Sequence, residues 1–168
     1  GTLTHDGQQG DETRMILGAA LWLWALSFND PRAEEKHPTL GTRCAWGALL
    51  GCVMFACTHY VIRFTLAFQV LVLVLVLIGL RLLSFEWARC VNDDVLLIGR
   101  VWYSVSGWTA LLIWLCDQHF CAHLHALPGG VPNPQFHAWW HLLMSVNMHC
   151  GGTFLAYQRA VHKGYSPE

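Results

Sequence analysis

The chain has 168 residues, 54% hydrophobic and 12% charged, with nine tryptophans and a net charge of −1. A soluble domain carries about a quarter charged residues, so this composition excludes an ordinary soluble domain and points to a membrane protein. Ten basic residues against eleven acidic ones leave no cationic excess, which argues against a nucleic-acid partner.

In chain order, five apolar segments read as membrane-spanning helices: 15–28, 45–60, 64–83, 101–116 and 137–157. The third is the cleanest. From Phe64 to Leu83 it holds Thr65 and Gln69 as polar side chains and Arg81 as its one charge, enough chain to cross about 30 Å of hydrocarbon. The others are shorter, so their ends are expected to run into flanking polar residues. Asn29-Asp30-Pro31, followed by the charged stretch Arg32 to Lys36, marks one connection. Asn92-Asp93-Asp94 and the Pro/Gly-rich run from Pro128 to Pro134 mark two more. The expected fold is all-α, a polytopic transmembrane helix bundle, with residues 1–168 in a single domain.

Lysine and arginine give the bundle a direction. Arg14 and Arg63 fall on the side where the chain begins; Arg32, Lys36, Arg43, Arg81, Arg89, Arg100, Arg159 and Lys163 fall on the other. The positive-inside rule makes the second side cytoplasmic, and with it the C-terminus. Polar chemistry gathers on the opposite side. Asp11 and Glu12 open the first span there, Asp117 closes the fourth, and His137 and His141 open the fifth; His5, His59, His119, His123 and His125 lie at the same end.

Within that set, Asn133-Pro134-Gln135-Phe136-His137-Ala138-Trp139-Trp140-His141 is the most informative block. Histidines four apart put two imidazoles on one face of a helix start, a spacing that suits zinc, for which neutral imidazole is a common ligand. Carboxylates and histidines converging at one end of a small bundle exceed what interfacial anchoring needs. A metal site with an acidic helper is the natural reading. Asp11 is either the helper or an acid favoured at a helix N-terminus, and Glu12 points about 100° away from it around the helix. Asp117 is either a helix-end residue or an acceptor that orients a ligand histidine. His119 and His123, also four apart, are the rival ligand pair. Trp139 and Trp140 read as interfacial aromatics, one of them screening the metal from lipid. Of seven cysteines, Cys121 alone lies in an outer loop open to oxidation.

These residues carry a family resemblance. Gly1-Thr2-Leu3-Thr4-His5-Asp6-Gly7-Gln8-Gln9-Gly10-Asp11-Glu12 resembles the segment of alkaline ceramidases that follows their first zinc histidine, with its Thr-Leu and Gln-x-x-Asp-Glu. Asp117-Gln118-His119-Phe120-Cys121 resembles their Asp-x-x-x-Cys motif, and Phe136-His137-Ala138-Trp139-Trp140-His141 their His-x-x-Trp-His motif. The resemblance implies the last five helices of a seven-helix enzyme, with the third zinc histidine and a catalytic serine outside this chain. It implies zinc held by His137 and His141, Asp11 as the catalytic aspartate, and supporting roles for Asp117 and Cys121. The partner of Cys121 would be a cysteine in an N-terminal segment that also carries a calcium site in eukaryotic members.

The implied reaction is zinc-dependent hydrolysis of the ceramide amide bond to a sphingoid base and a free fatty acid, in a multi-pass protein of the endoplasmic reticulum or Golgi with its site towards the lumen. The chain alone is then expected to be nearly inactive. A receptor of the same superfamily, resembling the adiponectin and progestin receptors, is the rival reading; Gln8-Gln9-Gly10-Asp11-Glu12 and Trp140-His141 favour the ceramidase branch. A bis-histidine haem protein is a third reading, with His59 and His149 as its axial pair.

Overall fold

The computed structural model describes residues 5–62, 64–125 and 132–165. Residues 1–4 of the N-terminal motif, Arg63 and the turn residues 128–131 lie outside the described residues. So do the side chains of His5, Gln8, Gln9, Arg32, Cys121 and His125. The described residues form helices and no strand: α1 (His5–Ser27), α2 (Pro31–Lys36), α3 (Leu40–Val61), α4 (Thr65–Arg89), α5 (Asp93–Leu96), a π-helical segment (Leu97–Trp102), α6 (Tyr103–His125) and α7 (Phe136–His162). Three stretches are long and apolar enough to cross a membrane: Leu40–Val61, Thr65–Arg89 and Asp93–Phe120. The chain divides into two compact units. One is built from α1 to α4 as far as Ala88 together with the end of α7 from Val161; the other runs from Arg89 to Ala160.

In the first unit α1 and α3 pack antiparallel, and side chains fasten them at both ends. Trp24 Nε1 donates to the Gly41 carbonyl oxygen at 2.9 Å, while Glu12 Oε2 meets His59 Nε2 at 2.5 Å. Between them α2 uses the charged stretch that reads as a connector: Pro31 stands at its first position, where a missing N–H costs nothing. On α4 the buried residues are Phe68, Val72, Gly79, Leu83 and Glu86, a narrow seam at helical spacing. Leu66, Val70, Leu73, Val74, Leu77 and Ile78 face outward, the pattern of a helix solvated by lipid on most sides. The seam ends on a carboxylate. Glu86 Oε2 accepts from Asn29 Nδ2 at 3.4 Å and lies 3.1 Å from His162 Nε2, so this buried acid is provided with polar partners.

In the second unit the Asn92-Asp93-Asp94 break is a helix start. Asn92 Oδ1 accepts from the Val95 N–H at 3.0 Å, and Asp93 and Asp94 occupy the first turn, where negative charge is favoured. The helix therefore begins well before Val101. It passes through the π-helical segment before resuming α-geometry at Tyr103. Within that segment Gly99 faces Phe154 of α7 so closely that a Cβ on it would lie 2.2 Å from the ring, and Phe154 is fully buried. Four residues after Gly99, the Tyr103 carbonyl oxygen accepts from Asn147 Nδ2 at 2.6 Å. Gly107 opens the space: a Cβ there would come within 2.8 Å of the same amide nitrogen. The pairs 99 with 154 and 103 with 147 set an antiparallel register between the long helix and α7.

Candidate metal centre

Followed towards the start of α7, that register brings Asp117 opposite His137. Asp117 Oδ2 lies 3.6 Å from His137 Nδ1, beyond ordinary hydrogen-bond length but close enough for a carboxylate to orient the ring. The other nitrogen of the same ring faces along its own helix, with His137 Nε2 3.1 Å from His141 Nε2. Two nitrogens bound to one tetrahedral zinc at about 2.05 Å are about 3.3 Å apart. The two nitrogens already stand close to that spacing, with the rings nearly perpendicular at 86°.

The local sequence explains why. Asn133 Oδ1 accepts from the Gln135 N–H at 2.8 Å, closing a tight turn after which Gln135 takes φ 55°. That left-handed value is uncommon for a residue with a Cβ. The Gln135 carbonyl then accepts from Ala138 N at 2.9 Å and Trp139 N at 3.3 Å, so α7 begins at once and His137 stands in its first turn. Of the two tryptophans, Trp139 is exposed, whereas Trp140 is buried and packs beside both imidazoles, with ring centres 5.5 Å from His137 and 4.3 Å from His141.

Asp11 lies in the N-terminal part of α1, partly buried. Its neighbour Glu12, expected to be a bystander, is buried against His59. That ring is enclosed by phenylalanines: Phe55 and Phe68 stack on it at 5.2 and 5.8 Å between centres, and Phe64 meets it edge-on at 4.7 Å. With Nε2 committed to Glu12 and Nδ1 facing this apolar cage, His59 offers no nitrogen to a haem iron, which removes the bis-histidine haem reading. The rival pair His119 and His123 is exposed, as is His149. Among the described residues, sequence reasoning missed several buried polar groups: Glu12 with His59, Glu86 with Asn29 and His162, Asn147 with Ser106, and Gln158. One signal was available: Glu12 stands four residues before the buried Ile16, and Glu86 continues the buried spacing of Leu83.

The sequence profile of the Ceramidase family matches residues 1–168. An alkaline ceramidase of Arabidopsis thaliana is 30% identical, over 99% of this chain and 61% of its own length. Alkaline ceramidase 3 of Mus musculus is 32% identical, over 40% of this chain and 30% of its own. The chain thus spans less than two thirds of the length of these curated relatives. No solved structure matches it. With the profile matched from end to end, the chain belongs to the Ceramidase family.

Proposed function

We propose that this chain is the metal-bearing part of a zinc-dependent membrane amidohydrolase that cleaves ceramide to a sphingoid base and a free fatty acid. The observation that carries the reading is the convergence of His137 Nε2 and His141 Nε2 at 3.1 Å while His137 Nδ1 faces Asp117. Both nitrogens of one ring thereby have a role, one towards the metal and one towards the carboxylate that fixes its orientation. Zinc held by His137 and His141, with the family's first zinc histidine as third ligand, would supply Lewis acidity and bring a water's pKa towards about 7.

The chain's own residues do the rest. Asp11, by its match to the Gln-x-x-Asp-Glu motif, takes the proton of the attacking water and returns it to the departing sphingoid amine. Asp117 holds His137 in its tautomer. Trp140 packs beside both imidazoles and walls them on one side. The charge distribution supports a C-terminus in the cytoplasm with the site on the opposite face, and the family resemblance supports the lumen of the endoplasmic reticulum or Golgi for that face.

The test is ceramide hydrolysis and zinc content in the purified full-length protein and its Asp11→Asn variant. The unsubstituted protein should release fatty acid and retain zinc. The variant should keep the metal and lose about 10²- to 10⁴-fold in turnover. A full-length protein that binds zinc and leaves ceramide intact would overturn the substrate; a variant with near-normal turnover would return Asp11 to the role of a helix-start acid.

A further inference from the structure

The first ten residues of α1, His5 to Arg14, include two glycines and no apolar side chain. Glycine lowers helix stability by about 1 kcal/mol against alanine, and nothing in this stretch can hold a helix face by hydrophobic packing. Among its described side chains Glu12 alone is buried, 3% exposed, and Ile16 is the first buried apolar residue after it. Glu12 meets His59, itself 0% exposed in the last turn of α3. The second fastening of α1 to α3, Trp24 to Gly41, lies about 18 Å further along the axis at 1.5 Å per residue.

His59 is in turn held from three sides. Phe55, Phe64 and Phe68 enclose the ring, and its Nδ1 has no hydrogen-bond partner among the described residues. A buried nitrogen is left unsatisfied while Nε2 is aimed at Glu12, so the cage fixes the direction of that one bond. Asp11 precedes Glu12 and leaves the helix about 100° around from it. A bond that holds Glu12 therefore constrains the helical turn that carries Asp11.

We infer that Glu12 and His59 are positioning residues for Asp11: their buried bond sets the rotation of the first turns of α1 and so aims the Asp11 carboxylate. The inference rests on the ceramidase reading for its effect on turnover. The bond itself is testable without it.

The experiment compares Glu12→Gln, Glu12→Ala and the apolar pair Glu12→Leu with His59→Phe in the full-length protein, each with and without Asp11→Asn. Amide exchange across residues 5–16 is followed alongside. Glu12→Gln keeps an oxygen for Nε2–H and should stay within about threefold of the parent in kcat. Glu12→Ala should lose at least tenfold in kcat with KM within twofold, and speed exchange at 5–16. The apolar pair leaves no buried polar group unpaired, so it should fold and show the same kcat loss, which guards against a variant that merely misfolds. In the Asp11→Asn background neither change should lower kcat further, because residues acting as a unit are not additive.

An unchanged kcat in Glu12→Ala overturns the inference. So does an equal loss with and without Asp11→Asn, which signals less folded enzyme rather than a misaimed carboxylate. If the unsubstituted protein does not hydrolyse ceramide, the ceramidase reading falls and exchange decides the bond alone. Faster exchange confined to 5–16 then upholds it, and unchanged exchange overturns it.

Discussion

His59 meets Glu12 at 2.5 Å with side-chain exposures of 0% and 4%, whereas His137 faces Asp117 at 3.6 Å with 26% and 21% exposed. The pairs share their chemistry and differ in everything else. In the first, the carboxylate takes the one nitrogen that can reach a partner, and phenylalanines enclose the rest of the ring. In the second, the carboxylate faces Nδ1 from 3.6 Å, and Nε2 converges with another histidine. A histidine that has spent its bonding capacity in the core holds the fold. One that faces a carboxylate with one nitrogen and a second imidazole with the other has the arrangement the proposed zinc site requires.

The sharpest way to break this comparison is to remove one histidine from each pair in the full-length protein. His137→Ala or His141→Ala should abolish bound zinc and lower ceramide hydrolysis by at least about 10³-fold, with little change in unfolding midpoint against the metal-free parent. His59→Ala should do the reverse at first: it leaves Glu12 buried without its ring, a cost of about 3–5 kcal/mol, visible as an early unfolding transition with zinc stoichiometry preserved in the folded fraction. Full zinc retention in His137→Ala would end the ligand assignment.

A smaller effect separates the two carboxylates. Asp117→Asn removes the charge facing His137 but keeps a polar group there. Zinc affinity should fall about 10- to 100-fold, while the stability of the metal-free protein changes by less than about 1 kcal/mol because the pair is partly exposed. Competition with a metal chelator, read beside thermal unfolding, checks both expectations. A stability loss as large as that of His59→Ala would mean that the two pairs do the same work after all.

The sequence made the helical fold legible because apolar runs of span length have few other uses. His137 and His141 were legible for a similar reason: a fixed spacing of four within a single helix fixes their faces without tertiary knowledge. Asp117 could be named but not placed, since its meeting with His137 depends on how α6 and α7 register. That register is set by Gly99 against Phe154 and by Asn147 on the Tyr103 carbonyl, contacts between residues more than forty apart in sequence. Glu12 was misjudged because Asp11 beside it matches a motif, whereas the partner that gives Glu12 its role lies on another helix. The start at Asn92 was mistaken for a break because an N-cap and a turn use the same residue types.

The register itself offers the smallest effect. Alanine at Gly99 would place a Cβ 2.2 Å from the Phe154 ring, and one of the two helices must move to admit it. Overpacking of this kind costs about 1–3 kcal/mol. The displacement should travel along α7 rather than stay local, because Phe154, Asn147 and His137 lie on one helix whose other fastenings are also tight: Asn147 reaches the Tyr103 oxygen at 2.6 Å past a glycine with no room for a side chain. Gly99→Ala should therefore weaken zinc binding measurably, by a few-fold, although the substitution touches neither histidine. Gly152→Ala is the control: a Cβ there meets nothing within 4 Å, so it should leave zinc affinity unchanged and raise helix stability by up to about 1 kcal/mol. If Gly99→Ala lowers the unfolding midpoint and leaves zinc affinity at the control value, the start of α7 holds its histidines through the Asn133–Gln135 turn alone. The pairing of Asp117 with His137 would then be a consequence of the site and not its cause.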